Sequence, residues 1–70
     1  MITPDELDNW FQYHAPTGTQ QERYVLIRNT ARSLAQIIFE NTPSSADQTA
    51  AIRKLRECVM TANAAIACGE

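Results

Sequence analysis

Glycine is scarce in this chain. Of 70 residues only Gly18 and Gly69 are glycine, too few for a phosphate-cradling loop, and no Walker pattern is present. There is one histidine, His14, with no cysteine or carboxylate beside it at metal-ligand spacing, so a zinc-type centre has nothing to build on. The two cysteines, Cys58 and Cys68, do not make a disulfide framework. Cys58 falls inside an apolar helical pattern and reads as a small buried thiol, and Cys68 as a tail thiol. No basic leader precedes an apolar run, and no apolar stretch approaches the ~18 residues of a membrane span. The expectation is a soluble cytoplasmic protein with neither metal nor cofactor. Positive charge is also short: six Lys and Arg stand against eight Asp and Glu, for a net charge of −2. That balance argues against general binding of DNA or RNA, which relies on clustered cations. It leaves room for a small anionic ligand, for which a few placed arginines suffice.

Length sets the next constraint. A lone chain of this size buries only about 60% of the surface its unfolded form exposes. Small scaffolds need a staple, namely disulfides, a metal or self-association. With the first two unsupported, self-association remains.

Three helices follow from the pattern. Thr3-Pro4-Asp5-Glu6 offers an N-cap, a proline at the first helical position and a capping box. Leu7, Trp10 and Phe11 then form one stripe, and the helix is predicted to run to Tyr13 or His14, ahead of Pro16 and Gly18. The second is predicted to start near Thr19, with Glu22 closing another box. Its apolar positions Tyr24, Ile27, Ala31, Leu34 and Ile38 step by 3, 4, 3, 4, as a packed seam does. Val25, Leu26, Ala35, Ile37 and Phe39 widen that face beyond what one antiparallel partner covers. Asn41-Thr42-Pro43 end it. The third is predicted from Ser44 or Ser45, with Gln48 boxing onto Ser45. Ile52, Leu55, Val59, Ala62 and Ile66 make its seam, and Gly69 stops it. The short connection makes the two long helices an antiparallel hairpin, across which the first helix packs. The fold class expected is all-α, a short N-terminal helix plus a long helical hairpin in a single domain over residues 1–70, assembling as a homo-oligomer.

No constellation suits catalysis. Asp5, Glu6 and Asp8 are first-turn charges favoured by the helix dipole. Binding residues are better supplied. Tyr13, next to a loop, either closes the core or stacks on a nucleobase. Arg28 and Arg32, four apart, share a helix face and either sit in solvent or present forks to phosphate. Arg53, Lys54 and Arg56, interrupted by Glu57, read as surface charge. Asn63 lies among alanines, where an amide is costly unless paired; its expected role is structural, fixing helix register or bonding across a subunit interface. His14 on its own reads as a cap or surface residue.

Two segments then carry a resemblance over nearly the whole chain. Trp10-Phe11-Gln12-Tyr13-His14-Ala15-Pro16, followed by Gln20 or Gln21, Tyr24 and Ile27-Arg28, is the first; Val59-Met60-Thr61-Ala62-Asn63-Ala64-Ala65-Ile66-Ala67 is the second. Together they resemble the phage anti-CBASS cyclic-oligonucleotide sponge family. The resemblance implies a compact helical hexamer in the cytoplasm of an infected bacterium, one that holds cyclic dinucleotides such as cyclic GMP-AMP between paired subunits without cleaving them. Cyclic trinucleotides would sit where three subunits meet. It implies that Tyr13 stacks on a purine, with His14 beside it in the motif, and that Arg28 meets a phosphate where the family often has lysine. Thr30 and Arg32 fall where trinucleotides are contacted. Some members carry a basic residue near the C-terminus; this chain ends Ala67-Cys68-Gly69-Glu70 and lacks it. Without the resemblance, a protein-binding adaptor or a small DNA-binding regulator would be the readings on offer.

Overall fold

The computed structural model describes residues 1–69 and forms three helices, α1 over Pro4–Trp10, α2 over Gln20–Asn41 and α3 over Ala46–Gly69. No strand occurs among the described residues. Glu70, and with it the very end of the tail compared with the family above, lies outside them.

The start of α1 follows its sequence. Thr3 is extended, and its Oγ1 accepts the Glu6 amide at 3.1 Å. The helix stops at Trp10, short of the Tyr13 or His14 expected, with Phe11 as its cap. A competing hydrogen bond explains the early end. In a longer helix the Asn9 carbonyl would accept the amide of residue 13. Instead it meets the His14 ring, with Nε2 at 2.6 Å. A carbonyl can only accept, so Nε2 carries the proton.

Thr19 precedes α2 as expected but makes no side-chain cap bond, so the capping box with Glu22 does not form. Gln20 does related work: its Oε1 accepts the Thr17 amide at 3.0 Å. Gly18 permits this tight entry with φ at +54°, a backbone region that residues with a Cβ seldom adopt. At α3, Ser45 Oγ accepts the Gln48 amide at 3.1 Å, as predicted. The reciprocal half of that box is missing, because the Gln48 side chain points elsewhere. Its Nε2 donates to the carbonyls of Phe39 and Thr42, each at 3.1 Å.

Gln20 and Gln48 are the only buried residues among those described, and they play matching parts. The last four carbonyls of any helix lack a partner within it. Gln48, in the first turn of α3, serves carbonyls at the end of α2. Gln20, the first residue of α2, reaches the end of α3, with Nε2 3.3 Å from the Ile66 carbonyl. α1 adds a third such bond, from Asn9 Nδ2 to the Cys68 carbonyl at 2.8 Å. Thus α1 and the head of α2 are both fastened to the end of α3.

Along the hairpin, Tyr24, Ile27, Ala31 and Ile38 of α2 and Ile52, Leu55, Val59, Ala62 and Ile66 of α3 are half-buried, as the seam predicts. Leu34 is not: it stays 46% exposed, and Ala35 takes its place in the seam. At 3.6 residues per turn Leu34 and Ala35 flank the line through Tyr24, Ile27, Ala31 and Ile38 on its two sides, and it is Ala35 that is half-buried. Cys58 is exposed, not buried as its apolar neighbours suggested, because it sits on the outer side of α3.

No hydrophobic side chain among the described residues is buried. The chain's accessible surface is 5836 Å², about a third above the roughly 4,400 Å² expected for a globular chain of this mass. The radius of gyration is 15.2 Å, against about 11 Å for a compact domain of this length. With extents of 44 × 30 × 14 Å, the chain is a plate little thicker than one helix.

Candidate functional site

The fastening of α1 and α2 to the end of α3 carries the loop 11–19 across the hairpin. Beneath that loop, one face of the first turns of α2 and the alanine-rich end of α3 enclose an open cavity of about 630 Å³. Tyr13, His14 and Pro16 of the loop, Gln21, Tyr24 and Arg28 of α2, and Asn63, Ala64 and Ala67 of α3 line it. Three of the residues singled out from the sequence therefore share one site. Their elements account for it. Gln21, Tyr24 and Arg28 are spaced by 3 and 4, which places them on one helix face. Ala64 and Ala67 leave room that larger side chains would fill.

Each wall residue has a distinct character. The Tyr13 ring is 86% exposed, so it is a ring at the rim and does not close a core. His14 is half-buried and held by the Asn9 carbonyl through Nε2. That bond fixes the ring and leaves Nδ1 as its second hydrogen-bonding atom. Cys68 Sγ stands 4.0 Å from the same Nε2 and 3.9 Å from the Asn9 carbonyl oxygen. Arg28 is exposed and brings a permanent positive charge. Asn63 Oδ1 is buried with no hydrogen-bond partner.

Arg28 also borders a second, apolar cavity of about 250 Å³, where Arg32 and Arg56 accompany it above Ala31, Ala35, Ile52, Leu55 and Val59. Thr30 is exposed and lies outside both cavities. The fold of the single chain therefore does not bring Thr30 and Arg32 together. Two positions apart on a helix is a rotation of about 200°, so they look to opposite flanks.

Sequence reasoning had not assigned Gln21 or Tyr24 to a site, although the 3, 4 spacing with Arg28 was a usable signal. Asn63 had been given a structural role. Among the described residues no group of three His, Cys, Asp or Glu side chains could hold a metal ion. No helix is long and apolar enough to cross a membrane.

A ring, an imidazole and a guanidinium on one open wall can stack a planar base, hydrogen-bond it and meet a phosphate. Comparison with known proteins bears on that set. Neither a curated protein nor a solved structure matches the chain. Residues 3–67 match the family described as Acb2/Tad1, hairpin domain, which spans all three helices. The chain thus belongs to the Acb2/Tad1 family, the anti-CBASS sponge family.

Proposed function

We propose that this protein binds cyclic oligonucleotide messengers of bacterial antiphage defence, cyclic dinucleotides such as cyclic GMP-AMP among them, and keeps them from their effectors without cleaving them. The observation that carries the reading is the meeting of Tyr13, His14 and Arg28 on one cavity in a chain of this family. The family's name fits sequestration, and this cavity supplies chemistry for both halves of such a ligand. A purine stacks on Tyr13, and the Arg28 fork meets a phosphate.

Self-association belongs to the same proposal. The excess surface of the protomer and its lack of buried hydrocarbon support an assembly, and a homohexamer is the form we favour. A cyclic dinucleotide has two bases and two phosphates in near two-fold arrangement. A two-fold interface presents every residue twice, so two copies of Tyr13 and Arg28 serve both halves. Thr30 and Arg32, separated within one protomer, would be joined at a three-fold axis by neighbouring copies, where a cyclic trinucleotide fits. Neither a metal nor a cofactor has a part in this. The protein is a binder, made by phage and acting in the cytoplasm of the infected host. Tight binding is required of it, since micromolar affinity, about −8 kcal/mol, would leave a scarce messenger largely free. Pre-placed groups on rigid helices lower the ordering cost that opposes such affinity.

The test is recovery. Purified protein is mixed with cyclic GMP-AMP, free messenger is measured in the filtrate, and heat or protease is then applied. The expected result is depletion followed by return of intact messenger. Linear fragments would overturn the reading in favour of an enzyme. No depletion, together with salt-sensitive retardation of duplex DNA, would favour a DNA-binding regulator.

A further inference from the structure

Asn63 is the wall residue whose chemistry is unspent. It lines the cavity with Tyr13 and Arg28, yet its Oδ1 is buried without a hydrogen-bond partner. A buried acceptor left in that state is costly, and each such atom in a native protein needs a reason. Helix formation supplies none. Thr61-Ala62 precede it and Ala64-Ala65 follow, and alanine at position 63 would suit the helix better. The terminal torsion of asparagine is broad and roughly two-fold, so a half-turn exchanges Nδ2 and Oδ1 at little cost and gives the acceptor a second direction in which to meet a donor.

We infer that Asn63 is a specificity-determining contact, whose Oδ1 accepts an N–H from a base of the bound cyclic dinucleotide. The inference rests on the proposed function and sharpens it. A cyclic dinucleotide offers Oδ1 few donors. Its phosphodiesters are acceptors, its ribose hydroxyls are O–H donors, and its N–H groups are all on the bases, in exocyclic amines or ring N–H. The neighbours divide the remaining work. Tyr13, exposed at the rim, takes a ring face, which every base has. Arg28 takes a phosphate, which every such ligand has. Neither tells one base from another. An amide in the wall does, because it meets an edge.

The experiment is a double-mutant cycle read by titration calorimetry on the full chain. One change is Asn63→Ala. The other is in the ligand, with cyclic GMP-AMP compared with the analogue whose two bases are unsubstituted purine, which lacks every N–H donor. Asn63→Ala is expected to weaken cyclic GMP-AMP by about ten-fold, within the range of one good base contact, and to change the analogue by less than two-fold. Equal loss for both ligands would overturn the inference and point to a ribose hydroxyl. Melting temperature and sedimentation mass keep it exposed to a structural explanation. The variant is expected to melt no lower than the parent and to keep its mass. A lower melting point or a smaller assembly would show that Oδ1 has a partner in the assembled protein, and would overturn the inference. Failure of the parent protein to bind cyclic GMP-AMP at all is a separate result, which brings down the sequestration reading first.

Discussion

Asn9 donates from Nδ2 to the Cys68 carbonyl at 2.8 Å, across a separation of 59 residues. The same residue's carbonyl receives the His14 ring at 2.6 Å. One asparagine thus ends α1, fixes the imidazole at the cavity and ties both to the end of α3.

Asn9→Ala removes the first of these bonds and leaves the second, which the backbone makes. Loss of the bond and exposure of its partner carbonyl are expected to lower stability by about 1–2 kcal/mol, measured by urea denaturation. Cyclic dinucleotide affinity should fall with it, although Asn9 does not line the cavity, because the end of α1, whose backbone carbonyl holds His14, is no longer tied to α3. Unchanged affinity in a destabilised variant would mean that the loop holds its place by other contacts.

Gln48 makes a sharper pair of variants. Gln48→Ala leaves the carbonyls of Phe39 and Thr42 without their donor and is expected to lower stability by roughly 1–3 kcal/mol. Gln48→Glu keeps the shape but replaces the donor with a carboxylate facing those same oxygens. At neutral pH it should be at least as harmful as the alanine. A benign glutamate would show that shape, not donation, is what position 48 supplies.

At Tyr13 the effect should fall on binding alone. Its ring is exposed, so Tyr13→Ala is expected to leave the melting temperature and oligomer mass unchanged. Loss of one stacked base corresponds to about 1–3 kcal/mol, a loss of at least several-fold in affinity. Tyr13→Phe should retain most of it, since the ring face remains.

Charge is the variable at Arg28. Arg28→Glu is expected to abolish cyclic dinucleotide capture, and Arg28→Lys to weaken it by a few-fold, because the charge stays and the fork is lost. Retained trinucleotide binding in Arg28→Glu would support two separate sites; parallel loss would support one.

Assembly has its own probes. Leu26 and Ile37 are 65% and 56% exposed on faces that nothing in the protomer covers. Leu26→Glu and Ile37→Glu are expected to reduce the sedimentation mass, and to reduce helix content with it. Either variant retaining parental mass would remove that residue from any interface.

Most of the fold was legible because its signals are local. The caps at Thr3 and Ser45, the stop at Pro43 and the apolar repeat each lie within a few residues of the element they define. The errors have a common source in distance along the chain. α1 ends early because the Asn9 carbonyl goes to His14, and its end is tied to Cys68, 59 residues away, which no pattern inside residues 3–16 reveals. Gln48 satisfied every local rule for a capping box, and its amide still went to the end of α2. Cys58 sat among apolar neighbours, but a helix has an outer side, and the side it faced was set by the phase of the seam. The candidate site was legible in part. Tyr13, His14 and Arg28 came from the resemblance, and the structure brings them to one wall. Asn63 was noticed as an anomaly but read as structural, because only the folded hairpin shows that residue 63 of α3 faces residue 28 of α2 across a cavity.

A chain whose only buried side chains among the described residues are two glutamines has little internal reserve against unfolding. If copies supply one another's missing core, persistence becomes a question of mass action, since partner binding and folding are then one equilibrium. The first few molecules translated would find no companions and be open to proteolysis. The folded population would climb as a high power of copy number. Protection of this kind would switch on abruptly as synthesis proceeds, and dilution alone would undo it.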